Sequence, residues 1–360
     1  MSLASGPGLG GSSPDMLWAD KHVEYIVSLD KRDDEYEYWL TEHLRLNGVF
    51  WGLHALHILG HPTALPRDDL IRFTMSCWDA SSGGFGAAPD HDPHMLYTCS
   101  AVQILVMVDG VSVLDEPAEP GSSETKRMRV AHFISSLQDR ETGTFHGDKY
   151  GEPDTRFLYN ALNSLSLLGK LNLVDVPLAV KYIDSCSNAD GGYGTVPGAE
   201  SHSGQIFVCL AALSIAGVLD QRLKDDSKWA DRLGGWLSER QISTGKGYGG
   251  LNGRPEKEED VCYAWWVGTS LVMLQRSHWI DRPALRKFIL SCQDGEHGGI
   301  SDRPGHAVDV FHTHFGIVGL SLLEWSENKD GEASEPLGLE EVDPVYCMPR
   351  SITKALSRTG

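Results

Sequence analysis

The chain has 360 residues, 41% of them hydrophobic, and a formal net charge of −19 at pH 7. This length and composition allow a large core in one big domain or in two ordinary ones. The charge argues against a general binder of nucleic acid or of anionic membranes, because either polyanion would repel the chain as a whole. An anionic ligand would therefore have to meet a local basic patch.

The sequence carries no signal for membrane insertion or secretion. No apolar run approaches the ~20 residues needed to span a bilayer, and residues 1–14 are rich in Gly and Ser without a hydrophobic segment. The seven cysteines are an odd number, and most lie in apolar, helix-like runs, which is typical of reduced core thiols. We therefore expect a cytoplasmic location and no membrane span.

A short phrase recurs along the chain, at the end of a helix-like segment and before a glycine-rich turn. The copies run from Cys77 to Gly86, from Leu137 to Phe145, from Cys186 to Gly194, from Arg240 to Gly250 and from Cys292 to Ile300. Successive copies begin roughly 50 to 60 residues from each other, which is long enough for two helices and two loops per unit. The chain is therefore predicted to consist of repeated helix pairs.

Each glycine turn is followed by a run that is apolar nearly all round, as expected of a buried helix. With one earlier run, the set comprises residues 47–59, 94–108, 156–171, 204–218, 261–274 and 311–325. Amphipathic helical spacing appears in residues 69–77, 127–137, 229–237 and 283–292. We predict an all-α fold, an α6/α6 toroid of six buried helices paired with six amphipathic ones. The alternative is a stacked solenoid, whose inner helices would need another cover.

No linker divides the chain into two domains. The polar stretches at residues 116–126 and 326–340 are interpreted as surface loops. The predicted organisation is a flexible N-terminal tail at residues 1–15, a single toroid domain at residues 16–350 and a C-terminal tail at residues 351–360.

Four polar residues lie at similar distances after the glycine turns. Counted from Phe145, Tyr193, Tyr248 and Ile300, respectively, they are Arg156 after 11 residues, His202 after 9, Asp260 after 12 and His312 after 12. If the repeats are structurally equivalent, these side chains lie at the beginnings of buried helices and surround one mouth of the toroid. The spacing alone therefore predicts a site.

Asp260 and Cys262, joined by His312 from the next repeat, form a candidate metal site. Residues two apart on a helix point away from each other, so the pair converges only if Asp260 is the N-cap. A carboxylate, a thiolate and an imidazole suit zinc, and three protein ligands leave one position open for a substrate. An ordinary capping Asp, a buried Cys and a capping His are the alternative, and the residues alone leave both interpretations open.

Arg254 and Lys257 precede the Asp260 helix and could hold an anion at the same mouth, with His202 as a third donor. The alternative is a solvated loop in which Glu256, Glu258 and Glu259 pair with the two cations. Aromatic residues are frequent along the buried runs: Trp51, Tyr97, Phe157, Tyr159, Tyr263, Trp265, Trp266 and Phe311. They are either plain core or the lining of a central pocket for a long apolar ligand.

Together these motifs resemble the β subunits of protein prenyltransferases, most closely those of the Rab geranylgeranyltransferase type. The passages that carry the resemblance are residues 198–205, 251–257, 260–266, 302–305 and 310–313, with 91–94 and 154–156 extending it towards the N-terminus. The resemblance covers roughly residues 20 to 350.

The resemblance implies roles for individual residues. Asp260, Cys262 and His312 resemble the ligands of one zinc ion per β subunit. His202, Arg254, Lys257 and Tyr263 resemble the diphosphate-binding group, with Lys257 and Tyr263 also catalytic. The implied substrate contacts further include Ser203, Gly204, Trp51, Tyr97, Cys99, Tyr159 and Trp266, and Arg156 near the acceptor peptide. Asp302 matches a position that assists magnesium in farnesyl enzymes, so magnesium is a second cofactor to consider.

Two positions depart from the common pattern of the family. Asn47 stands where serine is common and Cys99 where leucine is common. Both are smaller than the bulky residue that shortens the farnesyl pocket, so the longer geranylgeranyl chain is expected to fit.

The resemblance implies that an isoprenoid is transferred from geranylgeranyl diphosphate to C-terminal cysteines of Rab GTPases. It also implies an α subunit as heterodimer partner and an escort protein that presents the Rab. The alternatives are a farnesyl or CaaX-type geranylgeranyl β subunit, a terpene cyclase and a non-catalytic lipid-binding toroid. The cyclase lacks support because no Asp-x-Asp-Asp motif occurs.

Overall fold

A computed structural model describes residues 16–31, 36–330 and 335–356, and their regular secondary structure is mostly helical. The predicted N-terminal tail, residues 1–15, lies outside them. Six helices form an inner layer: α3 (Arg45–Ile58), α5 (Met95–Met107), α7 (Thr155–Leu167), α9 (Ser203–Ile215), α12 (Tyr263–Met273) and α14 (Val310–Asp330). Six form an outer layer: α1 (Ala19–Ser28), α4 (Arg67–Ser76), α6 (Lys126–Ser136), α8 (Val176–Ser185), α11 (Ser227–Ser238) and α13 (Arg282–Ser291).

Besides five short 3-10 helices, the described part of the chain contains several smaller elements. They are the short helices α2 (Tyr36–Leu40), α10 (Leu219–Asp225) and α15 (Arg350–Leu356), and four two-residue strands: β1 (Ile300–Ser301), β2 (Val308–Asp309), β3 (Val342–Asp343) and β4 (Met348–Pro349). β1 pairs antiparallel with β2, and β3 pairs antiparallel with β4.

The inner helices form a closed ring. Each packs against the next in the order α3, α5, α7, α9, α12 and α14, and α14 packs back against α3. Each outer helix covers the inner helix that follows it, beginning with α1 on α3 and ending with α13 on α14. The predicted α6/α6 toroid is therefore confirmed, and the solenoid alternative is wrong.

Four of the outer helices begin at side-chain N-caps. The outer helices α6, α8, α11 and α13 start at conventional N-caps, Thr125, Asp175, Asp226 and Asp281, whose side chains each accept a hydrogen bond from the backbone three residues on. Such caps are each worth about 1 kcal/mol. The inner helices are buried on nearly every side, as α9 illustrates, because the outer layer covers one face and the neighbouring inner helices cover the others.

The glycine turns let each repeat approach the next outer helix. Gly83 has φ +90°, and a Cβ there would lie 2.5 Å from the backbone oxygen of Arg129 on α6. Gly298, in the last turn, stands in the same relation to Lys21 on α1, at 2.2 Å. Glycine is required at both positions, because a side chain would collide with a neighbouring backbone. The last repeat therefore meets the first helix as each repeat meets its successor.

The β3–β4 hairpin packs against the ring from the C-terminal end of the chain. The Tyr159 hydroxyl donates to the backbone oxygen of Val345 (2.9 Å), and the Gln103 and Asn163 amides donate to the backbone oxygen of Tyr346 (2.9 and 3.3 Å). Since these partners belong to α5 and α7, the hairpin braces two inner helices at once.

Some elements differ from the sequence predictions. The outer helices α1 and α8 and both hairpins had not been located in advance. Residues 351–356 were predicted as part of a tail but belong to α15, where Thr353 is buried and its hydroxyl donates to Asp343 (2.6 Å). Residues 357–360 lie outside the described residues.

No single helix in the described part is long and apolar enough to cross a membrane. One bent pair, Ser203–Ile215 with Leu219–Asp225, passes by length and composition only.

The seam between the last turn and α1 contains a buried histidine, and we expect it to make folding acid-sensitive. The Gly299 backbone N–H donates to His22 Nδ1, and Nε2 donates to Gln293 Oε1, both at 2.9 Å. Burial lowers the pKa of His22, partly offset by the Gln293 bond. In the unfolded chain this histidine has its ordinary pKa of about 6.5, so below that pH the unfolded state binds a proton more readily than the folded state. The free energy of unfolding therefore falls as pH falls, by at most about 1.4 kcal/mol per pH unit.

His22→Asn should remove this part of the pH dependence, because its amide oxygen can still accept from Gly299 but does not titrate. Free energies of unfolding measured between pH 7 and pH 5 check this. His61→Asn, at an exposed histidine, serves as the control. An unchanged pH slope in His22→Asn would contradict the assignment.

Candidate functional site

The inner helices begin at one mouth of the ring, in a register set by the glycine turns. Nine residues after the buried residue of each turn comes a polar residue that directly precedes an inner helix or, in the case of Asp260, lies three residues before it. These pairs are Phe85 and His94, Phe145 and Asp154, Tyr193 and His202, Leu251 and Asp260, and Ile300 and Asp309. The first helical N–H also bonds to the loop of the following repeat, as from Ser203 to the Gly253 oxygen (2.8 Å).

This register corrects the spacing read from the sequence. The fourth turn residue is Leu251, which is fully buried, and not Tyr248, which is 54% exposed. The residue equivalent to His202 and Asp260 is Asp154, so Arg156 lies two positions after its cap. His312 lies one helical turn after Asp309. The four residues still belong to one mouth, but they occupy three different positions of the repeat.

Asp260, Cys262 and His312 come together at this mouth. Their carboxylate oxygen, sulfur and ring nitrogen all lie within 4.8 Å of one another. Asp260 Oδ1 accepts from the Cys262 backbone N–H (2.8 Å), but the N-cap of α12 is Cys262, so Asp260 lies two residues before the position that the sequence predicted for it. The same carboxylate lies 3.4 Å from His312 Nε2. Two donors on a tetrahedral zinc lie roughly 3.3 Å from each other, so this set fits the ion.

The ionisation of these groups also suits a cation. Burial alone would lower the pKa of His312, but hydrogen bonds to Asp260 and Asp309 and their charges outweigh it and raise the pKa to about 10. Burial, with the charge of Asp260, raises the pKa of the Cys262 thiol well above its usual value. Two carboxylates thus stabilise the protonated, positively charged form of His312. A metal ion would take the place of the proton on the imidazole and would favour the deprotonated thiol of Cys262.

Asp309 holds the imidazole in place and had not been predicted. Its Oδ2 lies 2.6 Å from His312 Nδ1, and its Oδ1 accepts from the His312 backbone N–H (2.8 Å). This leaves Nε2 facing Asp260. A carboxylate behind a ligating histidine is the usual outer support of a metal site.

A second group of possible ligands is fully buried. His54, His314 and Cys347 also place their donor atoms within 4.8 Å of one another. Burial lowers the pKa of both histidines, to about 3 for His314. This group is closed to solvent, whereas the Asp260 and His312 side chains are 29% and 18% exposed.

His202 and Tyr263 form a donor pair beside the first group. The Gly204 backbone N–H donates to His202 Nδ1 (3.1 Å), so the proton of the neutral ring is on Nε2, which lies 3.3 Å from the Tyr263 hydroxyl. Burial lowers the pKa of His202, and the charges of Arg254 and Arg156 lower it further. The two guanidinium groups therefore act on the same region of the mouth, and the Glu200 carboxylate partly opposes them.

Arg254, Arg156 and Lys257 are the other predicted cationic residues at the mouth, and together with His202 they are called the cationic rim. They differ in the groups to which their side chains are bound. Arg254 is paired with Glu200, and Arg156 makes two bonds to Asp154 Oδ2 (2.7 and 2.9 Å). Lys257 is exposed, and the backbone oxygen of this residue accepts a hydrogen bond from the Asn252 amide.

Ser203 and Gly204 form the first turn of α9 beside His202. The Asp302 carboxylate already pairs with Arg303 (3.2 Å) and His306 (3.0 Å).

Aromatic rings form a continuous wall across five inner helices. In order of contact they are Trp51, Phe311, Phe315, Trp266, Phe207 and Tyr159, with ring centroids 4.5 to 5.4 Å apart. Tyr97 lies beside His94, and its hydroxyl donates to the His43 oxygen (2.8 Å). Cys99 is buried, and Asn47 accepts from Ser100 (2.9 Å). Tyr159 is buried, which places it deeper than the half-buried Trp51 and Trp266.

His94 and Gly253 are two further residues of the mouth that the spacing argument overlooked. His94 is the equivalent of His202 in an earlier repeat, and its Nδ1 likewise accepts from the backbone, at Leu96 (3.1 Å). Histidine is not a favoured N-cap, so its use at two equivalent positions could have been a signal. Gly253 lies against the donor pair: a Cβ there would be 2.4 Å from the Tyr263 hydroxyl and 2.6 Å from His202 Nε2.

Comparisons with known proteins agree with this architecture. Residues 17–348 match the prenyltransferase alpha-alpha toroid domain. The chain is 47% identical over 342 residues to a geranylgeranyl transferase type-2 subunit beta of Saccharomyces cerevisiae, covering 95% of this chain and 97% of that protein. It is also 47% identical over 340 residues to the type-2 subunit beta 1 of Arabidopsis thaliana, covering 94% and 95%.

A solved structure shows the same fold. Candida albicans protein geranylgeranyltransferase-I, complexed with GGPP, superimposes with a TM-score of 0.77 at 20% identity, covering 95% of this chain and 98% of that one. The resemblance to the type-2 β subunits is confirmed by the sequence identities, which support that assignment over the alternatives. The chain therefore belongs to the prenyltransferase family, with an α–α toroid domain.

Proposed function

We propose that this chain is the catalytic β subunit of a protein geranylgeranyltransferase of type II. In this proposal it joins the isoprenoid of geranylgeranyl diphosphate to C-terminal cysteine thiols of Rab GTPases that an escort protein presents. The observation that carries the proposal is the group of three donor atoms, from Asp260, Cys262 and His312, within 4.8 Å at an open mouth. The identity to type-2 β subunits supports the choice of isoprenoid and acceptor.

Asp260, Cys262 and His312 would hold one zinc ion, with Asp309 orienting the imidazole. Zinc at this position would lower the pKa of an acceptor cysteine, which is about 8.5 when free, and so supply a thiolate at neutral pH. Because the three side chains leave one coordination position open, the acceptor needs no further protein nucleophile.

The cationic rim would take the negative charge of the leaving group. As the new C–S bond forms at C1 of the isoprenoid, the C1–O bond breaks and diphosphate departs with the electron pair. His202 Nε2–H, the Tyr263 hydroxyl and Arg254 are donors on one side of the mouth, and the exposed Lys257 lies on the adjoining loop. Arg156 is assigned to the acceptor peptide.

Magnesium is not required by this proposal. Asp302 is the residue that would assist it, and that carboxylate is already paired with Arg303 and His306. We therefore assign charge neutralisation at the diphosphate to the protein's own cations.

The aromatic wall would bind the isoprenoid tail. The half-buried rings of Trp51 and Trp266 offer apolar surface near the mouth, and Tyr159 lies deeper. A cytoplasmic location completes the proposal, supported by seven cysteines that are all free.

The direct test uses the chain co-expressed with a candidate α subunit. The heterodimer is incubated with an escort-presented Rab protein and either geranylgeranyl diphosphate or farnesyl diphosphate, and the mass of the product is measured by mass spectrometry. The geranylgeranyl adduct should dominate and should require the escort protein. Preferential farnesyl transfer, or equal transfer to an isolated CaaX peptide, would indicate one of the other prenyltransferase types.

Cys262→Ala should abolish zinc binding at the mouth and turnover while leaving the helical content unchanged, because the thiol is lost without a change in packing volume large enough to unfold a ring. Zinc content, circular dichroism and single-turnover rates measure the three quantities. Full activity in Cys262→Ala would refute the proposed mechanism.

Asp309→Asn should lower zinc affinity by about 10- to 100-fold, because the amide can still cap the helix but no longer carries the charge behind His312. Competition against a chromogenic chelator measures the affinity. Asp115→Asn, which breaks a surface pair with Arg127, is the matched control and should bind zinc normally. Equal affinity in both variants would exclude Asp309 from the site.

Gly253→Ala should slow transfer by about 10- to 100-fold with little effect on stability. The added Cβ collides with the ends of the Tyr263 and His202 side chains and displaces the donors, whereas the backbone can stay in place. Gly235→Ala has no atom within 4 Å of its Cβ and is the control. A variant at 253 that is as active as the control would show that the donor pair is dispensable.

A further inference from the structure

Two cations of the rim, Arg254 and Lys257, are the first and last residues of one tight turn. The Lys257 backbone N–H donates to the Arg254 backbone oxygen (3.4 Å). Pro255 is the second residue of the turn, and Glu256, the third, has φ +63°. Proline at the second position and positive φ at the third are the pattern of a type II turn, whose third position favours glycine or asparagine. The turn that presents both cations is therefore strained at Glu256.

Three other repeats contain the same turn with a third residue that suits it better. These turns have proline second and are closed by the same backbone bond (3.0 to 3.2 Å), and they span residues 88–91, 196–199 and 303–306. Their third residues are Asp90, Gly198 and Gly305, all with positive φ. Glycine adopts this conformation freely and aspartate tolerates it, whereas glutamate is not favoured there. The turn with the two cations thus depends most on contacts from outside it.

Asn252 supplies such a contact. Its side chain is buried, and Nδ2 donates to the backbone oxygen of Lys257, the last residue of the turn (2.7 Å). Its own backbone N–H is fixed on the Arg240 backbone oxygen (3.0 Å). Within the described ranges Oδ1 has no partner, so the bond to Lys257 is the one that the side chain makes. Asn252 therefore joins the strained turn to a buried part of the backbone.

The equivalent residues of the other repeats show what this side chain changes. Each directly follows the buried residue of its glycine turn, and they are Gly86, Gly194 and Ser301. At Gly86 and at Gly194 a Cβ would collide with the backbone oxygen of the last residue of the turn. The Ser301 hydroxyl donates to Arg303, the first residue of its turn (2.6 Å). In two repeats the turn thus packs directly on the backbone, whereas the Asn252 side chain holds the turn of residues 254–257 at a distance.

We propose that Asn252 is a positioning residue for the departing diphosphate, and that it holds this turn where Arg254 and Lys257 reach the same anion. The inference rests on the proposed function, since it assumes that these two cations take the charge of the diphosphate. Asn252 acts through the turn and not by touching the substrate. A displacement of about 1 Å in such a group is enough to slow a reaction considerably.

The test measures the affinity for inorganic pyrophosphate by calorimetry, in the full chain purified with its α subunit. Asn252→Ala should weaken binding by about 3- to 10-fold, because the turn loses one buried hydrogen bond and the binding-competent conformation becomes less populated. Zinc content and the affinity for geranylgeraniol, which has the tail without the diphosphate, should be unchanged. If Asn252→Ala does not fold, Asn252→Gly, with the residue that two other repeats use, replaces it.

Gln138→Ala is the matched control. Gln138 is also buried, and its amide donates to the Asp175 backbone oxygen (2.9 Å) in another repeat. Its loss should lower the free energy of unfolding without changing the affinity for pyrophosphate. An equal loss of pyrophosphate affinity in the Gln138 and Asn252 variants would show that general destabilisation is the cause and would overturn the proposal.

A second pair of variants tests the geometry of the turn itself. In the Asn252→Ala protein, Glu256→Gly should recover most of the lost affinity, because glycine adopts the positive φ without strain. Glu256→Gln removes the same negative charge but keeps a side chain at that position, so it should recover less. Equal affinities in the two double variants would contradict a role for Asn252 in holding the turn.

Variants of the cations separate a failure of this inference from a failure of the proposed function. Arg254→Ala and Lys257→Ala should each weaken pyrophosphate binding by about 10-fold or more. If they do, and Asn252→Ala binds as tightly as the wild-type protein, the positioning role is refuted and the anion site stands. If the wild-type protein does not bind pyrophosphate, or neither cation matters, the proposed function fails together with this inference.

Discussion

The structure depends on the close approach of each glycine turn to the outer helix of the next repeat. At Gly143 a Cβ would lie 2.5 Å from the Leu178 backbone oxygen, and the turns at Gly249 and Gly298 show the same relation to Ala284 and Lys21. Only glycine permits these contacts. Because the last turn meets α1 in the same way, the repeats close on themselves instead of continuing as a solenoid, and the inner helices point their N-termini to one mouth.

Closure also bears on the proposal that an acidic chain binds an anion. The N-terminus of a helix carries partial positive charge, and the inner helices bring several such ends together. Arg156 and Arg254 add full charges, which lower the pKa of His202. The Glu200 and Asp154 carboxylates hold these guanidinium groups in place. The net charge of −19 is therefore compatible with a group of cations at the mouth, each held by a neighbouring carboxylate.

The architecture could be predicted from the sequence because the glycine turns recur in every repeat, where only glycine avoids a collision with the next outer helix. The inner helices followed because they are apolar on all sides. The outer helix α1 was missed because it precedes the first copy of the phrase, and α8 because residues 176–185 contain few charges. Strands of two residues have no periodicity to detect, so the β3–β4 hairpin, which braces α5 and α7, was invisible.

The sequence predicted which residues belong to the candidate site more accurately than it predicted their positions within the repeats. The prominent aromatic residue of the fourth turn is Tyr248, but the residue that packs in the core is Leu251, and the choice of Tyr248 hid the uniform nine-residue spacing. Because that spacing was hidden, the caps His94 and Asp309 were not recognised. Gly253 could not be found by any pattern, since its role depends on the distance to two side chains from other parts of the chain.

Burial distinguishes the two groups of possible metal ligands in this chain. An ion that must exchange one ligand for a substrate needs access, and the group at Asp260 and His312 has it, beside the donors of His202 and Tyr263. His54 and His314 are shielded by the ring itself, so a substrate cannot reach them. The same closure that creates an open mouth at the helix N-termini thus creates a sealed seam between α3 and α14, and the chemistry of each place follows from its exposure to solvent.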